Sequence, residues 1–128
     1  MNFPSVSKSR LQLPAAGFAV QVVQIEFSDH LVILISRSGM IGDIVLSQKS
    51  ILPPINGHAS HDVDARTIFG PEKMNSCLVT RLISKSLNTS KNILVSTDFK
   101  EDICFSDTQL ICDALKNLKQ HNSHLIIF

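Results

Sequence analysis

Residues 18–46 read FAVQVVQIEFSDHLVILISRSGMIGDIVL. Branched aliphatics and phenylalanine dominate the stretch, and Ser, Asp and Gly punctuate it, which is strand chemistry rather than helix chemistry. Two long strands are predicted across residues 15–27 and 31–37, joined by a tight turn at Ser28, Asp29 and His30, with a third strand over residues 40–47. In the first strand Phe18, Val20 and Val22 point one way, and Ala19, Val23, Ile25 and Phe27 the other. In the second, Leu31, Ile33 and Ile35 oppose Val32 and Leu34. A hairpin with one wet face alternates between apolar and polar residues. This one is apolar on both faces, so something must cover each of them.

Working outward, a chain of 128 residues is long enough for one domain with its own core. It carries 12 basic and 11 acidic side chains, for a net charge of +1. That balance lacks the basic stripe with which nucleic-acid binders neutralise phosphates, and there is no Trp or Tyr for base stacking. No nucleic-acid partner is expected. No run approaches the ~18 apolar residues of a membrane span, so no membrane partner is expected either. Pro14 and Gln21 interrupt the apolar run that a signal peptide would need after Lys8 and Arg10. Cys77, Cys104 and Cys112 are odd in number and read as reduced thiols. The expected setting is intracellular, which leaves the sequon at Asn88 a chance match.

Residues 1–14 read as a flexible lead-in, with Leu11 and Leu13 offering at most a short edge pairing. The folded domain is expected over residues 15–120. Gly39 suits a turn, and Gly42 marks a bulge or a close backbone approach. Residues 48–62, with Pro53, Pro54, Asn56 and Gly57, read as a long surface loop. A strand over 63–69 precedes a helix over 74–87, whose stripe is Leu78, Val79, Leu82, Ile83 and Leu87. A fifth strand runs from Ile93 to about Phe99. The last helix has Ser106 as N-cap, Gln109 completing a capping box, and Phe105 with Leu110 as a hydrophobic staple. Its stripe is Leu110, Ile111, Ala114, Leu115 and Leu118, and residues 121–128 form an apolar tail. The fold class is α+β: a small single domain with an antiparallel β-sheet or sandwich and two amphipathic helices.

The sharpest chemical candidate is His58 with His61, Asp62 and Asp64, whose spacing suits a zinc ion or a facial-triad iron. These residues sit in the expected loop, where ordinary surface polarity explains them better. Asp29 beside His30 has the elements of an orienting pair, yet a turn explains both residues. Cys77 stands near a helix start, where thiolates are stabilised; packing explains it as well, and Cys112 reads as a small hydrophobe. The glycines around Gly39 and Gly42 lack the Gly-Lys-Ser/Thr and the helix of a phosphate loop. His121 and His124 have no partner pattern, and Glu101 with Asp102 reads as solvated charge. No catalytic, cofactor-binding or metal residue is assigned, and no cofactor is expected.

What remains is the two-sided hairpin. Residues 21–39, QVVQIEFSDHLVILISRSG, resemble the signature hairpin of the proteasome assembly chaperone 3 family. There a Q-V-V run is followed by Phe-Ser, a variable residue, His and branched aliphatics ending at Gly. The strand from Met40 to Leu46 fits, as does the later order of Thr67-Ile-Phe-Gly70, a helix, Ile93-Leu-Val95 and a helix. The resemblance spans roughly residues 15–120. It implies a non-enzymatic chaperone that promotes α-ring assembly of the 20S proteasome. It also implies a heterodimer with assembly chaperone 4, paired through the sheets and docked on proteasome α subunits, in the cytoplasm with the nucleus as a further compartment. A homodimer is an option for the isolated chain. Residues 48–62 and the tail depart from the pattern. The competing readings are a metal-binding or hydrolytic protein built on His58 and His61, and an adaptor that adds a peptide to a sheet edge. Ile33→Asp and Val22→Asp are the substitutions with which the sequence alone would probe the interface.

Overall fold

The computed structural model describes residues 4–55, 58–71, 73–89, 91–99 and 101–121, with 49–55, 58–63 and 119–121 described by their backbone. Strands β1 (Ser5–Leu13), β2 (Phe18–Glu26), β3 (His30–Ser36), β4 (Asp43–Ile55) and β5 (His58–Phe69) come first. Helix α1 (Met74–Leu87), strand β6 (Asn92–Asp98) and helix α2 (Phe105–His121) complete the order. The strands form one six-stranded sheet in the order β1-β2-β3-β6-β4-β5. Every neighbouring pair is antiparallel except β3 with β6. The expected α+β domain is therefore present as a single mixed sheet, not a sandwich.

The parallel pair has a simple origin. The chain leaves β3, passes Gly39 and enters β4 one place further along, and β6 returns from α1 into the gap. Gly42 makes that crossing possible: its N–H donates to Ser96 Oγ at 3.1 Å, and a Cβ there would overlap the Thr97 carbonyl. The close approach expected at Gly42 is thus real.

Two expectations about the strands are corrected. Residues 5–13 are not a loose lead-in but a nine-residue edge strand, in register with β2 from Ser5 opposite Glu26 to Leu13 opposite Phe18. Helix α2 anchors the turn that joins them, because the carboxylate of Asp107 accepts the N–H groups of Ala15 and Ala16 at 3.4 and 2.8 Å. Residues 48–62 are not a loop either. β4 and β5 continue as a two-stranded ribbon past the last β6 pairing at Ser47. Pro53 and Pro54, which have no N–H to donate, lie beyond that point and fall at the register shift between Leu52 and Ile55, where neither is paired with a β5 residue.

Helix α1 has the bounds expected of it and closes on Asn88 in the left-handed conformation, φ 49°, with its N–H bonded to Ser84 O. Helix α2 starts one residue before the expected cap. Thr108 folds back on Cys104 O through both its N–H and its hydroxyl, at 3.0 and 2.9 Å, and Gln109 reaches forward to Asp113. The capping box at Ser106 is therefore not formed. The staple fails with it, since Phe105 and Leu110 are both exposed.

Both helices pack on one side of the sheet, α1 over β4, β5 and β6, and α2 over β1 and β2. Between them lies the core: Phe18, Val20 and Val22 of β2, Leu31, Ile33 and Ile35 of β3, and Ile93 and Val95 of β6 meet Val79, Ile83, Ile111 and Leu115. Leu78 and Leu110, expected in the buried stripes, lie outside it and are partly exposed. The tail from residue 122 lies outside the described residues.

Candidate protein-binding face

The register of the sheet identifies the second face. Val23 stands opposite Leu34 and Ile25 opposite Val32. Val32 is level with Leu94 across the parallel pair, and Leu94 stands opposite Leu46. Ile44 completes the row on β4, opposite Ser96. These seven apolar side chains, on four adjacent strands, are half-buried, whereas their neighbours on the helix side are fully buried. Among the described residues no helix or loop packs over them. They touch one another sideways and leave their outer surfaces to solvent.

One rim of this face is polar. On β1, Lys8 stands opposite Val23 and Arg10 opposite Gln21. At the end of β3 the Arg37 guanidinium lies 4.3 Å from the centre of the ring of Phe18, a core residue of the covered side, and 3.4 Å from Glu101 Oε1. A cleft of about 530 Å³ opens there between Lys8, Arg10, Gln21 and Ser38. Along the same edge, Asp98 accepts bonds from the hydroxyls of Ser36 and Ser38 and from the Ser38 N–H, which hold its carboxyl below the usual range. At the far rim Phe69, opposite Ile44, is 63 % exposed. An apolar centre with a charged border is the anatomy of a protein interface.

The sequence-derived candidates fall elsewhere. Asp29 Oδ1 lies 2.6 Å from His30 Nδ1, and this bond lowers the Asp29 pKa. The imidazole stacks on Phe27 with centroids 4.5 Å apart, and Phe27 N–H donates to His30 O, so both residues shape the turn. His58, His61 and Asp62 belong to β5 rather than to a loop, and their side chains lie outside the described residues. Asp64 is exposed. Among the described residues no group of three or more His, Cys, Asp or Glu side chains is placed to hold a metal.

The three cysteines are free thiols. Cys77 is half-buried with Sγ 3.7 Å from Thr67 Oγ1, and Cys112 is in the core, where burial raises its pKa. Cys104, at the foot of α2, has its thiol pKa lowered by the bond to Ser106 Oγ at 3.1 Å. Glu101 and Asp102 are exposed.

The two-sided apolar pattern of the hairpin was visible in the sequence, but the extent of the open face was not. Leu46 and Leu94 lie far apart in the chain, and only the insertion of β6 beside β3 brings them together. Val22 and Ile33 both lie on the covered side, so neither of the substitutions suggested by the sequence probes the open one.

No family model matches the chain, and no curated protein matches it. Among solved structures, a chain from the crystal structure of a chaperone complex for yeast 20S proteasome assembly superposes with a TM-score of 0.65. The alignment covers 88 % of this chain and 97 % of that one at 14 % sequence identity. The likeness is one of fold, and it extends over nearly the whole of both chains.

Proposed function

We propose that this chain is a non-enzymatic assembly chaperone of the 20S proteasome. It pairs through its open sheet face with a second small α+β chain of the assembly chaperone 4 kind, and the pair acts on α subunits during α-ring formation. The observation that carries this reading is the uncovered row from Val23 to Ile44. An apolar sheet surface on a chain this small needs a partner of matching shape to keep it from aggregating. The fold shared with a chain of a yeast proteasome-assembly complex and the hairpin resemblance over residues 21–39 support the choice of partner and client. The compartment proposed for this work is the cytoplasm, with the nucleus as a further one.

The test is co-expression with an assembly chaperone 4-like chain, read by native mass spectrometry, followed by capture of free α subunits on the purified pair. A one-to-one complex that Leu34→Asp abolishes while the variant stays folded is the expected result. A monomer that remains soluble beside that partner and retains no α subunit would remove the reading.

A further inference from the structure

On the side of the molecule away from the open sheet face, the two helices do not close on each other along their whole length. A groove of about 430 Å³ runs between the outer flank of α1 and the segment leading into α2. Its apolar lining includes Leu78, Leu82, Ile103 and Phe105. Leu78 is 48 % exposed and Phe105 66 %, so large hydrophobic surface is presented, not merely reachable. Both residues sat in sequence patterns that predicted burial, a helix stripe and a staple, and neither is buried.

Two further features give the groove a direction of preference. The charged side chains lining it are Arg81 and Lys85, one turn apart on α1, and no acidic residue is among its walls. Neither cation forms an ion pair among the described residues. The walls are also tied together before any ligand arrives. Asn75 on α1 donates through Nδ2 to Ile103 O and accepts the Ile103 N–H through Oδ1, both at 3.1 Å. This two-way clamp fixes the segment bearing Ile103 and Phe105 against α1, so little ordering cost attends binding.

We infer that this groove is a docking site for a short acidic segment of a partner protein, one that places two large aliphatic or aromatic side chains between Leu78 and Phe105 and its carboxylates on Arg81 and Lys85. The charge pattern selects against basic segments, because a lysine brought here would meet two uncompensated cations. The site is separate from the sheet face, so a chain paired through its sheet still has it available.

Selection of a phage-displayed library of random linear peptides on the full chain, with the recovered sequences synthesised and labelled, tests the assignment. Expected peptides combine Asp or Glu with Leu, Ile or Phe, and they shift the backbone amide resonances of Leu78, Leu82 and Phe105 in two-dimensional NMR spectra. By fluorescence anisotropy, Arg81→Glu with Lys85→Glu weakens them about tenfold or more, and raised salt weakens them in the wild type. Both positions are exposed, so the double variant keeps its fold, which its own spectrum verifies. Recovery of no binders, of peptides without acidic residues, or of peptides whose shifts map to Val23, Val32 and Leu94 would overturn the inference.

Discussion

The two faces of one sheet carry nearly the same kinds of residue and meet opposite fates. On one side Val22, Ile33 and Val95 lie under two helices and are fully buried. On the other, Val23, Leu34 and Leu94 stand one pleat away and remain half-exposed. Hydrophobicity therefore does not distinguish a covered position from an open one in this protein. What distinguishes them is where the helices land. The side-chain period of two assigns each residue to a face without saying which face is covered.

The sharpest way to break this comparison is a pair of identical substitutions at adjacent residues. Ile33→Asp buries a carboxylate with no partner in a packed core, at a cost above about 4 kcal/mol. That is comparable with the whole stability of a small domain, and the variant is expected to lack a cooperative thermal transition by circular dichroism. Leu34→Asp points the same carboxylate into solvent. It is expected to leave the melting curve close to wild type, within about 1 kcal/mol, while losing the proposed pairing in native mass spectrometry. If Leu34→Asp unfolded the chain as Ile33→Asp does, the second face would be covered from within.

A second test concerns the crossing that puts β6 between β3 and β4. Gly42→Ala drives a methyl group into the Thr97 backbone carbonyl, which cannot move without displacing β6. The expected loss is about 2–3 kcal/mol, read from urea denaturation. Because Ile44 and Leu46 follow directly, the displacement also misaligns the open row, so pairing weakens along with stability.

Lys91 holds the other end of that row. Its ammonium donates to Glu26 Oε2 and to Phe27 O, each at 2.8 Å, joining the end of β2 to the start of β6. Lys91→Met keeps most of the apolar stem and removes the charge. The expected cost is about 1–2 kcal/mol by denaturation, since both partners are only partly exposed to water. A change too small to measure would mean that strand pairing alone keeps Ile25, Val32 and Leu94 level.

Much of this arrangement was legible in the residues. The alternation in β2 and β3, the bounds of α1 and the existence of α2 all follow from periodicity, which reports local geometry. What the sequence concealed depends on distant pairing. β1 has too few apolar residues to look like a strand, and it exists because β2 offers it an edge and Asp107 clamps the turn. The β4–β5 ribbon was hidden by prolines that the chain accommodates at the register shift between Leu52 and Ile55. The same limit applies to the candidate site: half of its row was readable in the hairpin, while Ile44, Leu46 and Leu94 joined it through β6. The groove beside Phe105 was masked because an apparent staple accounted for its exposed ring.

The smallest expected effect is also the one that tests the far end of the open row. Asp98, on β6, gathers the hydroxyls of Ser36 and Ser38 and the Ser38 N–H, fixing the end of β3 beside it. These donors favour the charged carboxylate and lower its pKa in the folded chain. A lowered folded pKa makes its contribution fully present above the ordinary aspartate pKa of about 4, and the contribution disappears as pH falls through the lowered value. The carboxylate is only partly buried, so solvent screens the interaction and the effect is small. Asp98→Asn is therefore expected to leave the melting temperature near neutral pH only slightly reduced. As pH falls below about 4 the gap between variant and wild type should narrow, because the wild type loses the charge that the variant never had. A gap that stayed constant as the pH fell would show that the serines recognise an oxygen rather than a charge.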